Sequence, residues 1–531
     1  MSFTTTPAVT LADLSFSWPD GSPVLEGLTA TFTVGRTGLI GNNGTGKSTL
    51  LRLIAGHLTP TSGSVSVTGE VGWLPQHLTL RTDAAVADLL GVSGRLGALR
   101  AIESGDADPR HFETLADDWE VEARSLAALD RIGLADIELD RPVGTLSGGQ
   151  TVLAALVGLQ LAADDVVLLD EPTNDLDRDS RRLLYQAIES WRGSLIIVSH
   201  DVELLNLMDA TAELRDGELT VFGGSYDAYQ EHLATEQAAA EQALRSAEQR
   251  LRIERQQSIE AQTKLARRRR YARTDYANKR KPKMIMNNRK QEAQVSAGKL
   301  QGRHDASVDA AQRAVAERES RLRRDDTISI TLPDPDVPAG RRLAELRDSR
   351  GHGVILSGPE RLALTGPNGI GKTRLLEGLV HPGTIDRQIR TGKLFTERVG
   401  YLPQRLDHLD DAMTLLDAVR AGAPHRSDGD LRAGLARFLF RGEVVNRHIG
   451  DLSGGERFRI ALAILLLADP PHQLLILDEP TNNLDLHSVD ELVDALAAYR
   501  GGLIVVSHDD HFLHRLGIDL RIAMTGDGLV V

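Results

Sequence analysis

Cysteine is absent from the 531 residues. That removes disulfides, cysteine zinc sites, iron–sulfur clusters and thiol chemistry together, and it fits a reducing compartment. Aromatic residues make up only 4% of the chain, which argues against a broad base-stacking surface. Long apolar runs are missing as well. The longest, Ile460–Ala468, has nine residues, far below the roughly 20 needed to cross a bilayer. The opening stretch MSFTTTPAVT has no basic segment followed by an apolar one, so no secretory leader is expected there. A role at a membrane would need another chain to do the crossing. The length suggests two to four domains at about 150 residues each.

Positive charge is scarce overall but concentrated in one place. The net charge is −14. Between Ala261 and Lys290 stand twelve Lys or Arg against one acid, Asp275, a local net of +11 that leaves −25 on the rest. An acidic body with one basic patch calls for a local explanation.

The chain repeats itself, which is best recognised before any other reading. Gly41-Asn-Asn-Gly-Thr-Gly-Lys-Ser48 returns as Gly366-Pro-Asn-Gly-Ile-Gly-Lys-Thr373. Leu74-Pro-Gln76 returns as Leu402-Pro-Gln404, and Leu146-Ser-Gly-Gly-Gln150 as Leu452-Ser-Gly-Gly-Glu456. Leu168-Leu-Asp-Glu-Pro-Thr-Asn174 returns as Ile476-Leu-Asp-Glu-Pro-Thr-Asn482, and Val198-Ser-His-Asp201 as Val506-Ser-His-Asp509. Five motifs in one order mean a duplicated domain. The first copy has 22 more residues between its Gln and its Ser than the second. This Ala/Leu/Asp-rich stretch reads as helical, either an enlarged helical subdomain or a docking arm.

Between the copies, Ser225 to Asp326 has another character. It is rich in Ala, Gln, Glu and Arg, and Pro282 is its one helix breaker. Leu244 and Leu251, then Val308, Val315 and Leu322, form a thin seam of apolar residues seven apart. That pattern suits two long helices packed on each other, with the basic run and Pro282 between them. About 35–40 residues of helix would carry that tip roughly 50–60 Å from its base.

The motifs are nucleotide chemistry. Gly-x4-Gly-Lys-Ser/Thr is the pattern of a phosphate-binding loop. Glycines let the backbone curl until its N–H groups face the phosphates, and a following helix (Ser48 to Gly56; Thr373 to Leu379) offers its positive end. The candidates for this cradle are Gly41, Asn42, Asn43, Gly44, Thr45, Gly46, Lys47, Ser48 and Thr49. Their counterparts are Gly366, Pro367, Asn368, Gly369, Ile370, Gly371, Lys372, Thr373 and Arg374. Lys47 and Lys372 would neutralise the outer phosphates, and Ser48 and Thr373 would hold Mg²⁺. Val166–Asp170 and Leu474–Asp478 read as buried parallel strands ending in a carboxylate, the end at which open α/β sheets bind ligands. Asp170 and Asp478 would bind Mg²⁺ through water, with Gln76 and Gln404 completing its shell. Glu171 and Glu479 are suited to polarise the attacking water. His200 and His508, each after an apolar strand, read as γ-phosphate contacts.

Ser147, Gly148, Gly149 and Gln150, and likewise Ser453, Gly454, Gly455 and Glu456, open a helix (Thr151 onward; Arg457 onward). Each offers another anion-ready N-terminus. Together with the phosphate loop, this element resembles the signature of the ATP-binding cassette family, whose five motifs all occur twice. The resemblance implies an α/β fold of two P-loop cassettes in which each ATP lies between the loop of one copy and the signature serine of the other. One site would combine Lys47, Ser48, Gln76, Asp170, Glu171 and His200 with Ser453 and Gly455. The other would combine Lys372, Thr373, Gln404, Asp478, Glu479 and His508 with Ser147 and Gly149. Both keep every chemical residue, so two hydrolysing sites are expected. Trp18 stands where the family places its adenine-stacking aromatic, with Phe16 as the alternative. The matching stretch of the second copy, Ile328 to Arg350, holds no aromatic.

Two fused cassettes with a helical linker of about 100 residues resemble the ABC-F subfamily. That resemblance implies a cytoplasmic ATPase, using ATP and Mg²⁺, that acts on ribosomes as a monomer. Its linker would reach toward the tRNA and the peptidyl-transferase region, in translation regulation or in protection against antibiotics. The expected domains are residues 1–224, 225–326 and 327–531, the middle one an α-helical hairpin. Arg267, Arg268, Arg269, Arg270, Arg273, Lys279, Arg280, Lys281, Lys283, Arg289 and Lys290 could neutralise RNA phosphates. Tyr271 and Tyr276 could stack on exposed bases. The alternative is the ATP-binding subunit of a membrane transporter serving drug export, which has no use for a basic hairpin. Chromosome-organising ATPases have far longer coils or cysteine zinc sites, and the recycling cassette ATPase needs cysteines for its clusters.

Overall fold

The computed structural model describes residues 7–76, 83–174, 176–277, 302–303, 305–319, 332–347, 353–381, 391–482, 484–526 and 528–530. The chain divides into two compact units, Met1–Tyr226 with Thr327–Val531, and Asp227–Asp326.

Within the first unit each copy builds the same pair of sheets. The first copy contributes β1 (Pro7–Ser17), β2 (Pro23–Thr33), β3 (Arg36–Ile40), β4 (Ser62–Val67), β5 (Val71–Leu74), β6 (Val166–Asp170), β7 (Ser194–Val198), β8 (Ala210–Arg215) and β9 (Glu218–Phe222). An antiparallel sheet has the order β2-β1-β4, and a six-stranded sheet the order β5-β6-β7-β3-β8-β9. Only β8–β9 is antiparallel in the larger sheet. The second copy follows with β10 (Arg342–Arg347), β11 (Gly353–Ser357), β12 (Arg361–Thr365), β13 (Thr391–Leu394), β14 (Val399–Leu402), β15 (Leu474–Asp478), β16 (Gly502–Val506), β17 (Leu520–Thr525) and β18 (Gly528–Val530). Its sheets run β11-β10-β13 and β14-β15-β16-β12-β17-β18.

The central strands β6, β7, β15 and β16 are buried at every residue. That is why they are apolar throughout and do not alternate: parallel strands are covered on both faces. Val166 and Leu168 face the helix Lys47–Ile54 and the antiparallel sheet, in a core with Leu50, Leu51, Leu14 and Phe32. Val167 and Leu169 face the other way, against Leu153, Leu156 and Val157 of the signature helix. The second copy repeats the split, Leu474 and Ile476 on one side and Leu475 and Leu477 on the other. Each such side chain contributes about 1.5–3 kcal/mol by burial, so both faces of the sheet are pinned.

Register then levels the strand ends. Leu39 of β3 and Asp170 of β6 both stand beside Val198 of β7. Leu364 of β12 and Asp478 of β15 both stand beside Val506 of β16. In each copy the phosphate loop, the Asp–Glu pair and the Ser–His pair therefore leave the sheet along one edge.

The extra residues of the first copy are helical, as expected. They include the helices Pro109–Leu115 and Val121–Arg131, whose Leu115, Val121 and Leu129 join the first copy's core. Phe112 and Trp119 stay about half exposed, edge to face at 6.3 Å.

The second unit is built on the helix Tyr226–Ala277, 52 residues long, or roughly 78 Å at 1.5 Å per residue. It exceeds the expected 35–40 residues. The basic run does not lie wholly beyond the helix, because Arg267 to Tyr276 are still helical. The physical reason is that nothing before Pro282 breaks a helix, and Arg and Ala favour one. Leu244, Leu251, Val308 and Val315 are half-buried and Ala247 is buried, a thin seam; Leu322 lies outside the described residues. Residues 305–319 are helical again. Among the described residues, no helix is long and apolar enough to cross a membrane.

Candidate active sites

Both phosphate loops connect a central strand to a helix and turn on glycines at positive φ. Gly41, Gly44 and Gly46 have φ of 152°, 83° and 98°, and Gly366, Gly369 and Gly371 have 144°, 76° and 98°. A Cβ on Gly41 would lie 2.3 Å from the Leu214 carbonyl oxygen, and one on Gly366 would lie 2.4 Å from that of Met524. Only glycine lets the loop lie this close to the neighbouring strand. The helices begin at Lys47 and Lys372, one residue earlier than expected. Each lysine amine folds over its own loop. Lys47 Nζ donates to the carbonyls of Gly41 (2.6 Å) and Asn42 (3.0 Å), and Lys372 Nζ to those of Gly366 (2.7 Å) and Pro367 (3.2 Å). Burial pulls both ammonium groups below the usual lysine range, against the pull of Glu171 in one copy and of Glu479 in the other.

The Ser48 hydroxyl lies 3.1 Å from Asp170 Oδ1. Asp170 and Asp478 are almost fully buried, and that burial raises both carboxyls above the ordinary aspartate value, with Ser48 and Thr373 opposing the rise. Both carboxyl oxygens of Asp478 are buried without a hydrogen-bond partner among the described residues. A buried acid with orphaned oxygens, next to a hydroxyl and a loop of N–H groups, fits a Mg²⁺–triphosphate. Among the described residues no cluster of three or more His, Asp or Glu could itself hold a metal. The cation would therefore depend on Ser48 and Asp170, or Thr373 and Asp478, together with the phosphates.

Glu171 and Glu479 hold left-handed backbone, φ 50° and 47°, a strain of about 1–3 kcal/mol each. Their N–H groups donate to the Val198 and Val506 carbonyls at 2.8 and 2.9 Å, so each turns off the sheet while still bonded to its neighbour strand. The kink aims each carboxylate at the histidine of the next strand. Glu171 Oε1 is 3.0 Å from His200 Nε2, and Glu479 Oε1 is 3.3 Å from His508 Nε2. His508 Nε2 also lies 3.0 Å from Lys372 Nζ and 3.1 Å from Asn368 Oδ1. Burial, Lys372 and Arg181 push His508 down to about 4, so its ring is neutral at pH 7. Burial pushes the Glu479 carboxyl up to about 7, against Lys372 and Arg181 and with Asp478 adding to the rise. A carboxyl near neutrality is suited to accept a proton.

Around the second copy's loop lies a cavity of about 500 Å³ lined by Asn368, Gly369, Gly371, Lys372, Thr373, Arg374, Gln404, Asp478, Glu479, Asn482 and His508, with Leu176 from the first copy. The cross-copy contacts are reciprocal. Asn43 N donates to Asp485 Oδ2 at 2.7 Å, and Asn368 N to Asp177 Oδ2 at 3.3 Å. Each aspartate also caps its own helix, Asp177 at Ser180 and Asp485 at Ser488.

A family described as ABC transporter matches residues 25–174 and 354–482, more than half of the chain. The tylosin resistance ATP-binding protein TlrC of Streptomyces fradiae is 34% identical over 517 residues, 89% of this chain and 89% of that protein. The chain belongs to the ATP-binding cassette family, on its ABC-F branch. It is an ATPase. The energy-dependent translational throttle protein EttA of Mycobacterium tuberculosis is 29% identical over 532 residues, 93% of this chain and 87% of that one. Among solved structures, the archaeal ribosome recycling factor aABCE1 in complex with the stalk protein aP1 is similar with a TM-score of 0.54. At 18% identity, over 96% of this chain and 87% of that chain, that likeness concerns the fold.

In this ABC-F chain the signature serines are helix caps. Helices start at Gly148 and Gly454, three residues before the expected Thr151 and Arg457. Ser147 Oγ accepts from Gln150 N, and Gln150 Oε1 accepts from Ser147 N; Ser453 and Glu456 repeat the arrangement. A Cβ on Gly149 would lie 2.3 Å from Ser180 Oγ, so this glycine seats the signature helix against the helix that Asp177 begins. Ser147 and Gly149 are not among the residues lining the cavity at the second copy's loop. Gln76 and Gln404 are exposed at the ends of β5 and β14. Trp18 is 37% exposed and meets Phe16 edge to face at 5.1 Å. Its turn leads into Val24 and Leu25, which pack beside Gly46, while Phe16 belongs to the core.

Asp177 and Asp485 were not among the expected site residues. A signal existed: after one intervening residue, Leu-Asp follows each Glu-Pro-Thr-Asn. It was hidden because a capping aspartate explains itself without a second partner. Of the basic run, Arg267 and Arg270 are exposed on the long helix. Lys279, Arg280, Lys281, Lys283, Arg289 and Lys290 lie outside the described residues, as do the side chains of Arg268, Arg269, Tyr271, Arg273 and Tyr276.

Proposed function

We propose that this ABC-F ATPase binds ribosomes in its ATP-bound state and directs its basic linker toward the tRNA and peptidyl-transferase region, in translation regulation or ribosomal protection against antibiotics. The observation that carries the catalytic half is the paired geometry of Glu171 with His200 and Glu479 with His508. Each glutamate would take the proton of a water attacking the γ-phosphate, and each histidine would sense that phosphate. Lys47 and Lys372 would move from their loop carbonyls to the outer phosphates. Ser48 with Asp170, and Thr373 with Asp478, would hold Mg²⁺, which would supply charge neutralisation to the phosphates. Ser453 and Gly455 would close on the first loop, and Ser147 and Gly149 on the second.

The ribosomal half rests on the basic run of the linker and on what the relatives' names record, resistance to tylosin in one and a translational throttle in the other. RNA phosphates are the chemistry that a +11 segment on an acidic body suits. The domains would be residues 1–224, 225–326 and 327–531, the chain a cytoplasmic monomer.

The test is sedimentation of the Glu171→Gln, Glu479→Gln protein with purified ribosomes, in ATP and in ADP. ATP-dependent co-sedimentation is expected. Absence of binding in both nucleotides would overturn the ribosomal reading and favour a transporter partner. Turnover near the parent rate would overturn the glutamate assignment.

A further inference from the structure

The two candidate sites differ in one electrostatic respect. The helix Arg178–Glu189 starts at Asp177, which accepts from the Asn368 amide of the second copy. The next residue, Arg178, pairs with Asp510 at 2.9 Å, two residues beyond His508. One turn further along, Arg181 is largely buried, its side chain 14% exposed, with its Nη1 3.4 Å from Asp201 Oδ2. The Tyr185 hydroxyl donates to the same oxygen at 2.6 Å. Asp201 follows His200 and caps the helix Val202–Asn206. Arg181 therefore holds the histidine loop of the first copy, and its helix is fastened to the phosphate loop and histidine loop of the second.

Its Nε is buried with no hydrogen-bond partner among the described residues. Its charge acts on Asp509 and Glu479 as well as on Asp201. In the second copy, counting from Asp485 as the counterpart of Asp177, the positions of Arg178, Arg181 and Tyr185 are Leu486, Val489 and Val493. The matching positions of the second copy's helix thus carry no cation.

We propose that Arg181 is a positioning residue that couples the two ATP sites asymmetrically, anchored on Asp201 of the first and presenting its charge to the Glu479–His508 pair of the second, with no arginine at the counterpart position, Val489. An arginine suits the task, because its guanidinium stays charged when buried and its planar fork can bond on more than one side. When the loop after His200 shifts with its nucleotide, Asp201 carries Arg181 with it and the field at Glu479 changes. The inference rests on the assignment of Glu479 and His508 to ATP hydrolysis.

The test uses the full chain with Glu171→Gln, which confines turnover to the second site. Arg181→Met should lower kcat about tenfold, less than the roughly 100- to 1,000-fold loss of a donor that contacts the reacting atoms, with the KM for ATP within about twofold. Arg181→Lys should restore part of the loss. Asp201→Asn should also lower kcat, and combining it with Arg181→Met should add little beyond Arg181→Met alone, the signature of coupled residues. If Arg181→Met does not fold, Tyr185→Phe replaces it. That change frees one hold on Asp201, leaves the charge in place and should lower kcat about threefold. Unchanged kcat, or strictly additive losses, would overturn the coupling. If adding Glu479→Gln to Glu171→Gln left turnover standing, the site assignment itself would fall, and the coupling with it.

Discussion

Replacing Gly366 by alanine should damage the second nucleotide site far more than replacing Gly369, although both glycines sit in one loop at positive φ. At Gly366 the φ is 144° and a new Cβ would lie 2.4 Å from the Met524 carbonyl oxygen. That oxygen belongs to β17, whose Leu520–Ala523 pair with β12 and whose Ala523–Thr525 pair with β18, so it cannot move alone. Backbone strain contributes about 1–3 kcal/mol and the overlap about 1–3 kcal/mol more, relieved only by pushing the loop off its strand. If about 2 kcal/mol of this appears as lost phosphate contacts, ATP affinity falls about 30-fold. At Gly369 the φ is 76° and nothing lies within 4 Å of the added Cβ. The cost there is about 1–2 kcal/mol of left-handed strain, with the loop left in place. Affinity should be measured with a fluorescent ATP analogue in a chain whose first loop carries Lys47→Ala. Equal effects of the two alanines would refute the steric argument and leave glycine flexibility as the only reason for both.

Three further outcomes follow from the same geometry. Asp485→Ala removes a helix cap, about 1 kcal/mol, and a charge-assisted bond to the Asn43 amide, about 1.5–3 kcal/mol. It should lower the melting temperature more than Asp177→Ala, whose cross-copy bond is 3.3 Å and not 2.7 Å. Burial opposes ionisation of Asp485, but the Asn43 and Ser488 amides win and hold its carboxyl below the usual 3.8. A depressed carboxyl stabilises the fold above its unfolded pKa and loses that contribution as pH falls through its folded pKa. The melting-temperature gap between the parent and Asp485→Asn should therefore be full at pH 7 and shrink below about pH 4; a gap constant from pH 7 to 3 would contradict it. Reversing Arg267 and Arg270 to Glu should lower the slope of log affinity against log salt for ribosomes by about 1.5, and an unchanged slope would remove these two exposed arginines from the contact.

The repeats, the phosphate loops, the buried parallel strands and the acidic edge were all legible in the sequence. These features are local: a loop needs glycine at fixed offsets, and a strand covered on both faces needs an unbroken apolar run. Duplication raised their specificity, because five motifs recurred in one order. Helix starts were misplaced by one to three residues, since glycine-rich openings read as loop until Ser147 and Ser453 are seen to cap them. The long helix exceeds the 35–40 residues that the sequence suggests, because a run of arginines looks like a loop when charge is weighed before helix propensity.

Tertiary structure decided what no spacing contains. The left-handed turns of Glu171 and Glu479 arise because each N–H stays bonded to a neighbouring strand far away in sequence. The contacts of Asp485 with Asn43 and of Asp177 with Asn368 join residues 442 and 191 positions apart. The inequality between the two sites is written in the sequence as Arg181 against Val489, yet it means nothing until the fold places Arg181 on Asp201 and its helix beside Asp510. The sequence by itself determined which chemical groups the chain owns and the repeat that carries them. Packing determined which groups meet, because the register of β3 and β6 with β7, and of β12 and β15 with β16, brings distant carboxylates, histidines and lysines to one edge.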